Sequence, residues 1–432
     1  MSKRESLYFV ACIGLIFIVG LMQSWNVALA LVNFGLVSAI LALGVNIQWG
    51  YGGLFNAGIM GFVAVGGLAV VVTSAPPVIT AWEAGAARIF LALAVAITTI
   101  AGAVLLWRYL NKGWLRTVAI VFWLLSGTFL FRWLFDPAVG AIETIDAART
   151  GFLGGLGMPV LFAWPLGGLL AAVLALAIGK VALGLRSDYL AIATLAIAEV
   201  IVAVLKNEEW LTRGVKNISG LPRPVPYEIN LQQAEWFQKI ALITGLDLAE
   251  ASSIAVKLCY TALLLVVLFV VFVLCERSLN APWGRMMRSI RDNERAAAAM
   301  GKDVNGRQLQ IFILGSAVCG IAGAILTTLD GQFTPASYQP LRFTFLIWVM
   351  VIVGGSGNNW GAVLGGLLIW FFWIQAEPMG YMAIEFLTSQ MDFESPLRAH
   401  LVESAAHTRF LMMGLFLLLV MRFRPTGLIP ER

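Results

Sequence analysis

Apolar residues run unbroken for the length of a membrane helix again and again along this chain, and that repetition constrains the fold more than any single motif. The clearest runs cover 7–22, 27–47, 87–107, 118–135, 165–182, 254–274 and 309–328. Shorter ones cover 59–72, 343–353, 362–374 and 410–421. A stretch of about 20 apolar residues matches the hydrocarbon thickness of a bilayer. The runs are continuous, so they lack the alternating pattern of a membrane β-barrel. With 60% of its 432 residues hydrophobic and only 12% charged, the chain carries more apolar side chain than a soluble domain can hide. Backbone groups in lipid must be paired within their own segment, so the expected answer is an all-α polytopic bundle. We read about ten to twelve spans, with broken or re-entrant pieces, as one transmembrane domain over 1–432.

Charge placement orients the bundle. Lys3 and Arg4 precede the first run, a start like that of a signal peptide. No small-residue cleavage site leads into a soluble domain, and further spans follow at once, so the first run reads as a retained helix. The short segments 1–6, 108–116, 180–186, 276–307 and 422–432 are all basic and alternate correctly with the spans. Basic short loops stay in the cytoplasm, which puts both termini there. Segments 136–159, 207–252 and 377–407 then lie outside, and Arg132 snorkels towards the outer surface. The net charge of +5 fits this loop bias and does not suggest nucleic-acid binding.

Several chemistries are excluded. Cys12, Cys259, Cys275 and Cys319 sit inside apolar runs, without disulfide or metal spacing, and read as small buried hydrophobes. His400 and His407 have no companions for a metal site. No G-x-x-x-x-G-K-[ST] string occurs, and no nucleophile–base pair is apparent, so the chain is read as neither an ATPase nor another enzyme. No cofactor is expected in this chain.

Three regions stand out. The first is 276–307, ERSLNAPWGRMMRSIRDNERAAAAMGKDVNGR, a basic loop between two spans. Pro282 suits a first helical turn, and Arg285, Arg288, Arg291, Asp292 and Arg295 recur at helical spacing on one side. Met286, Met287, Ile290 and Ala297 mark another side, with Gly301 as the stop. This predicts a helix along the membrane surface whose charged face could dock a soluble partner; a plain solvated loop is the other reading. The second region is Asn46, Gln48 and Asn56 among glycines, answered by Gly354, Gly355 and Asn358 in GGSGNNWG. Helix breaks at membrane depth line cavities in transporters, and inverted halves would pair two of them; tight turns are the alternative. Gly361 and Gly365, and Ser316, Gly320 and Ala324, give small-residue faces for close helix packing. The third is Glu199, a carboxylate within an apolar run, read either as a group for a substrate ammonium or as a bond to a neighbouring helix.

A family resemblance joins these regions. Ala296-Ala297, three residues, then Gly301 resembles the core of the EAA loop of ABC importer permeases, where the loop seats in the ATPase subunit. Here Arg295 stands where that pattern has Glu, and Glu294 is one place earlier. The longer string GRMMRSIRDNERAAAAMG resembles branched-chain amino acid permeases of the LivM type. So do NIQWGYGGLFNAG, the string from Arg186 through Asp188-Tyr189 to Thr194-Leu195, the G-L-x-x-P segment from Gly220-Leu221 to Pro224, the glycine-rich string from Gly354 to Gly365, and Arg424-Pro425-Thr426-Gly427-Leu428. Only 73–160 and the neighbourhood of Glu377 carry no matching motif.

The resemblance implies the permease fold of an ABC importer for branched-chain or other hydrophobic amino acids in a bacterial inner (plasma) membrane. Relatives that carry urea or short amides leave the solute open. Partners would be a homologous second permease, two cytoplasmic ATPases holding ATP and Mg, and a periplasmic amino-acid-binding protein, which could meet the 207–252 loop. Arg285, Arg288, Arg291, Asp292, Glu294, Arg295, Ala296, Ala297 and Gly301 would serve ATPase coupling, and Asn46, Gln48, Asn56, Glu199, Gly354, Gly355 and Asn358 the substrate pathway. An ion-coupled secondary transporter centred on Glu199 is the alternative.

Overall fold

The computed structural model describes residues 3–146, 151–389, 391 and 395–431. Among them are 10 helices long and apolar enough to cross a membrane, plus two shorter apolar ones, Ile59–Ser74 and Pro340–Gly354. The protein is thus an all-α multi-pass membrane protein. The helices are α1 (Lys3–Met22), α2 (Trp25–Val45), α3 (Ile59–Ser74), α4 (Ala87–Tyr109), α5 (Trp114–Glu143), α6 (Val160–Ala182) and α7 (Ser187–Asn207). They continue with α8 (Leu248–Asn280), α9 (Pro282–Asp292), α10 (Glu294–Ala299), α11 (Val304–Asp330), α12 (Pro340–Gly354), α13 (Asn359–Thr388) and α14 (Thr408–Phe423).

The core is built where small residues let backbones meet. Helix α11 lies against α6 and α3, and α2 packs on α11, α8 and α13. Ser316, Gly320 and Ala324 are all buried on α11. A Cβ on Gly66 of α3 would run into the Gly320 carbonyl, and one on Gly323 would strike the Val63 carbonyl. Helices α12 and α13 cross equally closely, for Gly354 meets the Gly361 carbonyl and Gly365 the Met350 carbonyl. Lipid offers no hydrophobic drive between helices, so such fits, with internal hydrogen bonds, hold a bundle together.

Two expected loops begin as helix. Residues 136–143 extend α5 through Pro137, and residues 377–388 extend α13 through Pro378. In a membrane helix neighbouring groups compensate for the N–H that proline lacks. Beyond Pro396–Ser404, α14 returns.

Contacts define two ends. At one, Ile218–Ser219 pairs antiparallel with Gln332–Phe333, and Pro77 bridges Gly154. At the other, here the basic end, lie α9, α10, the breaks after α2 and α12, and the segment after α14.

Candidate functional site

The basic loop folds as two helices, not one. Pro282 opens α9, which buries Met287 and Ile290. At Asn293 the backbone becomes extended (φ −155°, ψ 95°), and the Asn293 side chain caps α10 by accepting from the Ala296 N–H at 3.0 Å. Gly301 (φ +75°) ends α10, with Gly301 N donating to Ala298 O and Lys302 N to Ala297 O, a Schellman closure. The break corrects the expectation of one arginine-lined face. Asp292, Glu294, Arg295 and Ala296 are exposed at the corner, while Ala297 is buried. Arg285 and Arg288 instead turn back to the carbonyls of Asn280 and Leu279, at 3.1 and 3.2 Å.

Arg291 points into the protein. Its Nη1 donates to the Gly50 carbonyl and to the Glu431 carboxylate, the latter at 2.9 Å, while Asp292 takes its Nε at 3.0 Å. Burial alone would lower its pKa, but the two carboxylates hold it above its ordinary value, so the guanidinium keeps its charge. One side chain therefore joins α9, the end of α2 and the segment after α14. That segment is itself tied to the second break. Leu428 N donates to Val353 O and Ile429 N to Gly354 O, both at 2.9 Å, and Asn358 Nδ2 donates to Pro430 O at 3.0 Å. The tight turn depends on Gly355 (φ +116°) and Gly357 (φ +79°), conformations that favour glycine.

The two breaks clasp each other. Helix α2 runs into a π-helical turn, Asn46–Tyr51. Asn46 Nδ2 donates to Asn359 Oδ1 at 3.1 Å, and its Oδ1 accepts from Gly357 N at 2.8 Å. Asn359 in turn donates to Glu276 at 3.0 Å. Gln48 donates to Phe312 O (3.0 Å) and Ser316 Oγ (2.9 Å), and accepts from Asn56 Nδ2 (2.9 Å). Asn56 Oδ1 accepts from Gly58 N at 2.9 Å, and the Asn56 carbonyl accepts from the Trp348 indole at 3.1 Å. The three amides are at most 1% exposed and bond to protein groups in this conformation. An amide left unpaired there would cost about 1–3 kcal/mol.

Glu199 lies apart from this knot. It is exposed on α7 and lines a cavity with Lys206 of the same helix and Arg342 of α12. Sequence reading passed over Arg342, although an arginine entering an apolar run was its signal.

Long apolar helices packed through glycine, two clasped breaks and a folded basic corner anchored beneath them define a polytopic membrane permease. Residues 26–421 match the family described as "Branched-chain amino acid transport system / permease component", and the chain belongs to that family. It is similar to the "Probable branched-chain amino acid transport permease protein LivM" of Methanocaldococcus jannaschii, at 23% identity over 94% of each chain. It is also similar to the "High-affinity branched-chain amino acid transport system permease protein LivM" of Escherichia coli, at 28% identity over 62% of this chain and 56% of that one. A shorter likeness, 26% over 23% of this chain and 28% of the relative, reaches the "Fructose import permease protein FrcC" of Rhizobium meliloti. No solved structure matches the chain.

Proposed function

We propose that the chain is the permease subunit of an ATP-driven importer for branched-chain or other hydrophobic amino acids. Its basic end, with both termini and the 276–307 loop, faces the cytoplasm of a bacterial inner membrane, as the basic bias of the short loops favours. The 207–252 segment then faces the binding protein outside, within one membrane unit paired with a second permease. ATP and Mg belong to two ATPase partners.

The observation that carries this reading is the Arg291 junction. A surface corner of Asp292, Glu294, Arg295 and Ala296 stands ready for a soluble partner, and Arg291 ties the same corner to the Gly50 break and, through Glu431, to the Gly354–Gly355 break. Movement imposed on α9 and α10 would reach Asn46, Gln48, Asn56 and Asn358, the groups that fix both breaks. Arg285 and Arg288 anchor the corner; Ala297 and Gly301 shape it. Alternating access would follow as an all-or-none rearrangement of the clasp.

Purification of the tagged full chain from native membranes tests this. P-loop subunits and vanadate-sensitive ATPase activity should accompany the chain, and Arg295→Glu with Ala296→Trp should release them. A chain that purifies alone and takes up solute on an ion gradient would overturn the reading in favour of a secondary transporter.

A further inference from the structure

Helices α7, α12, α13 and α14 border a cavity of 740 Å³ away from the basic end, within the range of about 300–1,000 Å³ typical of small-molecule sites. Its polar wall and its apolar wall are distinct. Glu199 and Lys206 share one face of α7, which touches α12. Arg342, in the first turn of α12, lies 5.3 Å over the Trp373 ring and 5.2 Å over that of Phe410. Its buried Nε has no hydrogen-bond partner among the described residues. The neighbouring Arg409 pairs with Glu377, so that carboxylate is taken. Among the described residues no ion pair engages Glu199, Lys206 or Arg342. Phe345, Trp373 and Phe410 supply aromatic surface.

Charges of both signs in a membrane span are costly unless something answers them. A purely anionic ligand would meet Glu199, a purely cationic one would meet Arg342 and Lys206, and a sugar would hydrogen-bond these groups but neutralise neither charge. We propose that this cavity binds an amino-acid zwitterion with an apolar side chain. Arg342, aided by Lys206, receives the carboxylate, Glu199 receives the ammonium, and the aromatic wall encloses the side chain. A guanidinium suits this role because its planar fork matches a carboxylate. The inference rests on the amino-acid importer reading and deepens it by placing the ligand.

Equilibrium binding of tritiated L-leucine to the full chain with its copurifying subunits, in lipid nanodiscs washed free of soluble binding protein, tests the site. Isoamylamine lacks the carboxylate and 4-methylpentanoate lacks the ammonium. Both should compete more weakly than leucine in the unmodified protein, by at least about tenfold. Arg342→Gln should weaken leucine by about a hundredfold and should not weaken isoamylamine, which gains from the lost like charge. Glu199→Gln should weaken leucine and should not weaken 4-methylpentanoate, which gains from the lost like charge. Absence of leucine binding, equal loss of all three ligands, or no change in either variant would overturn the site. If a variant fails to fold, the ranking on unmodified protein decides alone, and equal competition by the three ligands overturns the proposal. Vanadate-sensitive ATPase activity in the same sample reports the importer reading separately, since leucine binding needs no ATP.

Discussion

The clasped centre and the α4–α5 hairpin are both built of long apolar helices, yet they are held in opposite ways. The centre is fixed by glycines in backbone contact and by a buried chain of amides and carbonyls. The hairpin packs chiefly on itself. Trp123 donates to Thr99 O at 2.9 Å, Gly102 sits under the Trp123 ring, and Phe131 stacks on Phe135 at 4.8 Å. It is attached mainly at the end away from the basic corner, where Ile89, Ala138 and Ile142 cluster with Leu153 and Trp210. Apolarity puts a helix in the bilayer; small residues and satisfied polar groups decide where in the bundle it stays.

Glycine substitutions should break this symmetry most sharply. Gly66→Leu and Gly354→Leu push side chains into backbone, where neither neighbour can retreat, and should cost about 4 kcal/mol or more, enough to lose the folded protein. Gly140→Leu in the hairpin meets open space and should leave folding intact. Size-exclusion profiles and thermal unfolding of the purified variants give the answer. Equal damage at Gly66 and Gly140 would mean that the hairpin is as tightly packed as the centre.

The next effect concerns the polar knot. Asn46→Leu removes bonds to Asn359 and Gly357 N and leaves both buried. The expected loss is about 2–4 kcal/mol, and a cycle with Asn359→Leu should show strong coupling. Additive losses in denaturant midpoints would show that the two breaks are not clasped. Arg291 stands between the knot and the surface. Arg291→Gln loses the charge-assisted bonds to Glu431 and weakens the hold on Gly50, for about 2 kcal/mol. Glu431→Gln spares the Gly50 bond and should cost about 1 kcal/mol or less. If Glu431→Gln is the more damaging in unfolding or transport, the guanidinium is not the junction.

What was legible follows the same division. Asn46, Gln48 and Asn56 stand out because amides in an apolar run demand partners, so the break could be read from sequence. The spans could be read too, and the family motifs fell in order along the centre. The partner of Asn46 could not be read, because Asn359 and Gly357 lie over 300 positions away. The inward turn of Arg291 was equally hidden, since Glu431 is 140 residues distant. Helical spacing alone put Arg291 with Arg295, and only the Asn293 cap divides them. Asn293 carried that signal, for asparagine favours helix starts. The hairpin offered no motif because its helices pack chiefly on each other and its one attached end, at Ile89, Ala138 and Ile142, is made of ordinary apolar residues.

The smallest expected effect bears on that independence. Trp123→Phe keeps an aromatic body over Gly102 and removes only the indole bond to Thr99 O. Thr99 O also belongs to its own helix ladder, so the loss should be about 1 kcal/mol or less. Hydrogen exchange locates it. Protection should fall across α4 and α5 and stay unchanged in α2, α3 and α11, because the hairpin is attached mainly near Trp210, away from the basic corner. Lower protection at Asn46 or Gln48 would mean that the hairpin braces the clasp through the bilayer. The two regions would then be one cooperative unit, with the α4–α5 surface connected to the breaks as the Arg291 corner is through its hydrogen bonds.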